Sequence, residues 1–148
     1  MFKQAIKLLL ALTVAQSVWS LDRMRIVSET SCKPIKVNLA LGMTTQLVFD
    51  QTPKLTLYAD KIHFKISTNK VSKRSLAIIP DIKMREIESL RSTTKGHFAQ
   101  GLDKSFHTNL FVFFEGNAQL MFDLRFVEKE KADYIVKITQ VFNEDCVL

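Results

Sequence analysis

The stretch TNLFVFFEGNAQLMFDLRFV, residues 108–127, decides the fold of this chain. Apolar side chains recur at every second position on both sides of an interruption at Glu115-Gly116-Asn117-Ala118. This spacing places alternate side chains on opposite faces of a strand, and Gly116-Asn117 supplies residues that tolerate positive φ in a turn. The stretch therefore predicts a β-hairpin. One of its faces consists of Leu110, Val112, Phe114, Leu120, Phe122, Leu124 and Phe126.

The opposite face of the predicted hairpin is also largely apolar. Its apolar members are Phe111, Phe113, Met121 and Val127. A strand pair that is apolar on both sides belongs in a sheet covered on both faces, or at an assembly surface. Two covers are open. Either a neighbouring subunit covers this hairpin, or the segment 84–90 folds over its second face within the same chain. The candidate interface residues are Phe111, Phe113, Met121 and Phe126.

Short apolar runs separated by turn residues continue on both sides of the hairpin. They predict strands at about residues 35–41, 44–49, 55–57, 62–66, 75–79 and 134–142. This spacing is typical of a sandwich or a barrel, and we predict an all-β fold, an immunoglobulin-like β-sandwich of short antiparallel strands. Residues 81–107 differ, because they are polar and mixed in charge, with Met84, Ile87 and Leu90 at near-helical spacing. We expect a helical or flexible insertion there.

The first 20 residues have the pattern of an export signal. Lys3 and Lys7 precede an apolar run from Leu8 to Val14, and Val18-Trp19-Ser20 suits cleavage by signal peptidase. A membrane anchor helix is the alternative, but the run is too short to span about 30 Å of hydrocarbon. We therefore expect the chain to be exported. Residues 21–148 are expected to form a single β-sandwich domain.

Two cysteines, Cys32 and Cys146, lie near the two ends of the predicted mature chain. In an oxidising compartment, a disulfide between them would close nearly the whole domain into one loop. Such a loop is worth about 4 to 5 kcal/mol on the chain-entropy model. The alternative is two unpaired thiols. Because export is predicted, the disulfide is the favoured interpretation.

The formal net charge of +6 is concentrated between Lys61 and Lys104. Binding to single-stranded nucleic acid uses aromatic residues interleaved with basic ones, whereas the aromatics of this chain alternate as core residues do. The charge thus predicts a solvated surface, or attraction to anionic lipid and acidic proteins, and no nucleic-acid partner. Lys83, Arg85 and Arg91 form the candidate basic patch.

No motif of known chemistry occurs in the chain. The histidines are His63, His97 and His107. His63 lies on the polar face of a strand, and His97 and His107 flank a loop without a Cys or a close acidic partner at metal-ligand spacing, so we expect neither a metal nor another cofactor. A hydrolytic enzyme would have to draw on Asp103, His97 or His107, and we predict no catalytic residue. Asp123 lies in a strand two residues before Arg125, which suits an ion pair on the surface of a sheet.

Several motifs recur in an order known from one family. They are Gly42-Met43-Thr44-Thr45-Gln46-Leu47-Val48-Phe49, Ala59-Asp60 before the strand at Phe64, Leu76-Ala77-Ile78-Ile79-Pro80, Thr108-Asn109-Leu110-Phe111-Val112 and Tyr134-Ile135-Val136-Lys137-Ile138. Together they resemble the N-terminal domain of the outer-membrane core subunits of type IV secretion and conjugation systems, of the TraK and CagX type. Phe64 stands where that family usually has a tryptophan.

The resemblance implies a β-sandwich used for assembly in the bacterial envelope, in the periplasm or at the outer membrane. We therefore expect a non-enzymatic structural subunit whose partners are other cell-envelope proteins or further copies of itself. The alternative is a secreted basic binding module or inhibitor that acts on an acidic protein or on a membrane surface, with peripheral contact to lipid.

Overall fold

The chain folds into two β-sheets that pack face to face, as described by a computed structural model for residues 24–28, 33–93 and 97–139. The five-stranded sheet contains, in spatial order, β1 (Met24–Val27), β9 (Ile135–Ile138), β3 (Thr45–Phe49), β6 (Ser75–Pro80) and β5 (Phe64–Thr68). The four-stranded sheet contains β2 (Ile35–Leu39), β8 (Gln119–Phe126), β7 (Thr108–Phe113) and β4 (Leu55–Tyr58). Two helices, α1 (Met84–Thr93) and α2 (Phe98–Ser105), connect β6 to β7. The predicted all-β sandwich is confirmed.

The predicted hairpin is formed by β7 and β8. Phe111 pairs with Met121, and Phe113 pairs with Gln119. A short 3-10 turn, Glu115–Asn117, connects the two strands, and Gly116 has a φ of 73° within it. A side chain at this φ would be strained, so glycine suits the position, as the sequence predicted.

The core lies between the two sheets and follows the period-two spacing. Along β8 every second residue is buried, and Phe122 and Leu124 are fully inaccessible to solvent. Aromatic rings from the two sheets meet edge to face, because Phe49 of β3 lies 6.1 Å from Phe122 between ring centroids. The inward-facing side chains of β7 and β8 thus contribute six residues to the core: Leu110, Val112, Leu120, Phe122, Leu124 and Phe126.

Three strand pairs are parallel, although the sequence predicted antiparallel strands. They are β1 with β9, β3 with β9, and β2 with β8. Alternation shows which side chains share a face, but it carries no information about strand direction, and a parallel pair joins segments that are far apart in the chain. The strand β1 was not predicted, since it is four residues long and Met24 and Ile26 are exposed.

The insertion at 81–107 contains the helices α1 and α2, which close one end of the sandwich. Leu102 of α2 is buried in the core, and Asp103 accepts a hydrogen bond from the backbone N–H of Phe126 at 3.2 Å. Leu90 of α1 and Phe98 of α2 are partly buried against the core. The helices therefore lie where β8 ends.

Some sequence predictions fall outside the described residues. These are the signal peptide at 1–20, both cysteines of the proposed disulfide, Cys32 and Cys146, and the last strand beyond residue 139. They stay predictions. Among the helices that the structure describes, none is long and apolar enough to cross a membrane.

Candidate interaction face

The four-stranded sheet has an apolar patch on the side that faces away from the core. Residues paired directly across neighbouring strands share a face, and β4 pairs with β7 as β7 pairs with β8. One row is formed by Leu57, Phe111 and Met121. The next row contains Leu55 and Phe113, and ends at Gln119. We call Leu55, Leu57, Phe111, Phe113 and Met121 the apolar face.

Three of the four predicted interface residues lie on this face. Phe111, Phe113 and Met121 are each partly exposed. Phe126 does not belong with them, because it is 4% exposed and its ring lies 5.6 Å from the ring of Phe64 in the opposite sheet. Phe126 lies an even number of residues after Phe122 on β8, so its side chain is on the same face of the strand and points into the core. The structure corrects the placement of Phe126.

The two leucines of β4 were not predicted as part of the interface. Leu55 and Leu57 are 51% and 48% exposed, which is high for large apolar side chains. The sequence predicted their strand, but their place beside Phe113 and Phe111 follows from a pairing of segments more than 50 residues apart. No short-range signal reveals such a pairing.

The helical insertion does not cover the apolar face. Met84 at the start of α1 is 68% exposed, while Leu90 near its end packs against the core. Leu55 and Leu57 keep about half of their surface exposed with the helices in place. Of the two alternatives, the one in which residues 84–90 fold over the second face of the hairpin does not match the described part of the chain.

An open depression of about 510 Å³ continues the apolar face at one end. It lies where β4 ends and β7 begins. Its lining is formed by Leu57, Tyr58, Ala59, His107, Thr108, Asn109 and Phe111. Leu57 and Phe111 belong to both features, so the flat apolar face extends into a concave surface.

Ion pairs lie at both ends of the apolar face. The predicted pair of Asp123 and Arg125 is confirmed, with the guanidinium 2.7 Å from the carboxylate. The hydrogen bond and the charge of Asp123 raise the pKa of Arg125 above its ordinary value. At the other end, Lys54 lies 3.2 Å from Glu115. Each of these charges has a partner within the chain, and the apolar face lies between the two ion pairs.

The candidate basic patch maps to α1 and the residue before it. Lys83, Arg85 and Arg91 are all exposed. The guanidinium of Arg91 lies 5.2 Å from the centroid of the Phe98 ring and forms a cation–π contact within the chain. Glu86 and Glu88 alternate with the basic residues on the same helix. The surface of α1 is thus mixed in charge.

A histidine between two carboxylates connects α1 to the sandwich. Nδ1 of His63 lies 2.9 Å from Oδ2 of Asp60, and Nε2 lies 3.4 Å from Oε1 of Glu86. Burial alone would lower the pKa of His63, but hydrogen bonds to both carboxylates and their charges outweigh it, so the pKa is raised. Sequence reasoning placed His63 on a polar strand face and missed both partners.

The two carboxylates respond in the opposite direction. Burial would raise the pKa of Asp60, but hydrogen bonds from the backbone and side chain of His63 and its charge lower it overall. A hydrogen bond from the backbone N–H of Lys83 lowers the pKa of Glu86, and the contact with His63 lowers it further. The three groups therefore favour the state in which all of them are charged.

The three residues considered for catalysis, Asp103, His97 and His107, lie on or beside α2. His97 and His107 are exposed, and Asp103 is engaged with the backbone of Phe126. Within residues 24–28, 33–93 and 97–139, no group of three or more His, Cys, Asp or Glu residues is arranged to hold a metal ion.

No protein-family model matches the chain, and no curated protein matches it significantly.

Proposed function

We propose that this protein is a non-enzymatic structural subunit of the bacterial cell envelope that assembles through the apolar face of its four-stranded sheet. The proposal combines that face with the resemblance of the sequence motifs to the N-terminal domain of outer-membrane core subunits of type IV secretion and conjugation systems. Its partners are other envelope proteins or further copies of the same chain.

The apolar face carries the proposal. Exposed apolar side chains are common on protein surfaces when scattered, but a contiguous patch marks an interaction site. Here five large apolar side chains are adjacent across three strands. Burying Leu57 and Leu55 fully would each contribute about 1 kcal/mol, since about half of each side chain remains exposed.

The shape and charge of this region suit a protein partner. Phe111, Phe113 and Met121 are residue types enriched at the centres of protein interfaces. The ion pairs Lys54–Glu115 and Asp123–Arg125 lie at the ends of the patch, as polar groups do at the rim of an interface. The adjacent depression offers a pocket for an anchoring side chain.

A photo-crosslinking amino acid at position 57, introduced into the full chain in its bacterial host, tests the proposal. We expect crosslinks to a small set of envelope proteins or to a second copy of the chain. The matched control is position 79, because Ile79 lies on a strand of the other sheet and is 39% exposed. If positions 57 and 79 crosslinked to the same partners with the same yield, the proposal would be overturned.

The secreted basic binding module is the competing function, and the same host cells test it. It predicts association through Lys83, Arg85 and Arg91 that weakens in high salt, because exposed charge pairs are screened. Replacing these three residues by glutamine would then release the protein from envelope fractions, while Leu57→Lys would not. The opposite pattern is expected for assembly through the apolar face.

A further inference from the structure

His63 lies where three parts of the fold meet. It ends the turn between β4 and β5, and its ring packs on Phe106, which follows α2, with 4.5 Å between ring centroids. Its two ring nitrogens face Asp60 of the same turn and Glu86 of α1. The side chain of His63 is 20% exposed. This imidazole is thus a polar link between α1 and the sandwich.

Protonation decides whether both nitrogens of His63 can donate. The imidazolium carries a hydrogen on each nitrogen, so it donates to Asp60 and Glu86 together. The neutral ring carries one hydrogen, and whichever nitrogen loses it turns a lone pair toward a carboxylate. The bond to Asp60 is the shorter, at 2.9 Å against 3.4 Å, so the neutral ring keeps Asp60 and gives up Glu86.

We propose that His63 is a pH-controlled latch, which holds helix α1 on the end of the sandwich while protonated and releases it when neutral. Glu86 has a second bond, in which its Oε2 accepts the backbone N–H of Lys83 at 3.0 Å. That bond lies within the first turn of α1 and survives the loss of His63. The switch therefore acts on the docking of the helix.

The other charged groups around His63 do not change how its protonation controls the bond to Glu86. On α1 and its lead-in, Glu86 is the acid that contacts the ring, and Lys83 acts on Glu86 through its charge. Asp81, after β6, donates its backbone N–H to the carbonyl of His63, and its carboxylate pairs with Lys65. Phe106 contributes an uncharged ring. The charges that act on His63 are those of Asp60 and Glu86.

Release of α1 changes what the surface presents. Ten residues form a helix that is marginal in water without tertiary contacts, so a detached α1 frays. Arg85 and Arg91 are on this helix, and Arg91 would leave the ring of Phe98. Rising pH thus frees the segment that carries Arg85 and Arg91, and it uncovers the end of the core against which Leu90 packs.

NMR titration of the wild-type protein, with amide hydrogen exchange, tests the latch. We expect the imidazole of His63 to titrate above its ordinary value of 6.5. Protection of the amides of Ile87, Glu88 and Ser89, corrected for the intrinsic exchange rate, should fall between pH 6 and pH 9. The fall should be about tenfold for each unit by which the pKa is raised.

Two variants separate the latch from general pH effects. His63→Gln should show low protection of the α1 amides at both pH values, and His107→Gln, at an exposed histidine, should behave as wild type. A wild-type His63 that titrates at or below 6.5 would overturn the proposal, even if the His63→Gln variant fails to fold. Equal pH dependence in wild type and His63→Gln would overturn it as well.

Discussion

Arg25 and Asp133, 108 positions apart in the chain, form a two-pronged ion pair at one edge of the sandwich. Nε and Nη2 of Arg25 lie 3.1 Å and 2.9 Å from the two carboxylate oxygens of Asp133. Asp133 also accepts the backbone N–H of Asn38 at 2.8 Å, and Arg25 donates to the carbonyl of Lys36. Because β1 and β2 belong to different sheets, this cluster ties the two sheets together at their shared edge.

Replacing Asp133 by alanine should destabilise the protein by about 2 to 3 kcal/mol. The carboxylate is nearly buried, and its removal leaves a backbone N–H and a guanidinium without their acceptor. The cost stays below that of breaking a fully buried pair, since the side chain of Arg25 is 38% exposed. Urea denaturation of the variant and the wild type measures the difference.

Asp123→Ala is the matched control for that experiment. It breaks an ion pair of similar length, but on the surface of the sheet, where Arg125 is 43% exposed. Exposed pairs contribute about 0 to 1 kcal/mol. If Asp123→Ala cost as much as Asp133→Ala, the cluster at Arg25 would have no special role in holding the two sheets together.

The two faces of the hairpin should respond differently to truncation. Phe122→Ala removes a fully buried ring from the core and should cost about 3 to 5 kcal/mol. Phe111→Ala removes a partly exposed ring and should cost about 1 to 2 kcal/mol in the isolated protein. Chemical denaturation measures both changes. Equal costs would mean that the outer face is covered in solution.

The hairpin was the best-predicted part of the fold, for a physical reason. Alternation is a local property, and in β8 it assigns Leu120, Phe122, Leu124 and Phe126 to the core as the structure has them. Strand order and direction depend on contacts between distant segments. The parallel pairing of Ile35 with Phe122 therefore left no trace in either local pattern.

The candidate site was predicted to the extent that it lies on the hairpin. Phe111, Phe113 and Met121 followed from alternation. Phe126 was grouped with them, although the same alternation places it on the face that is buried in the core. The two partners of His63 differ in how readily the sequence reveals them. Asp60 precedes it by three residues in a turn and is a local signal, whereas Glu86 lies 23 residues later and is brought close only by the packing of α1.

Gly116→Ala should destabilise the protein by about 1 kcal/mol, measured by thermal or chemical unfolding. An added Cβ meets no atom within 4 Å, so the cost is that of holding an alanine at a φ of 73°. Gly116→Asn is the matched control, because asparagine adopts this conformation more readily and should cost less. Equal losses in both variants would point to a cause other than the backbone conformation.

Leu57→Lys should shift the protein to its monomeric form, if the partner at the apolar face is a second copy. A charge at this position, paired with Phe111, would have to be buried without an opposite charge. Size-exclusion chromatography with light scattering, over a range of protein concentrations, measures the mass. Ile79→Lys on the other sheet should leave it unchanged. If Leu57→Lys also left it unchanged, copies of the chain would not associate through this face.

The stability that His63 contributes should have a maximum at mildly acidic pH. Its pKa is raised above 6.5 in the folded protein, so this contribution is complete below 6.5 and is lost as the pH rises through the raised pKa. The pKa values of Asp60 and Glu86 are lowered from 3.8 and 4.5, so their contribution is present above these values and is lost as the pH falls through the lowered ones. The difference in the free energy of unfolding between wild type and His63→Gln, measured from pH 3 to pH 9, should therefore be largest between pH 4.5 and 6.5. Two carboxylates that face an imidazolium require this difference to decrease toward pH 9. A difference that increases toward pH 9 would contradict the prediction.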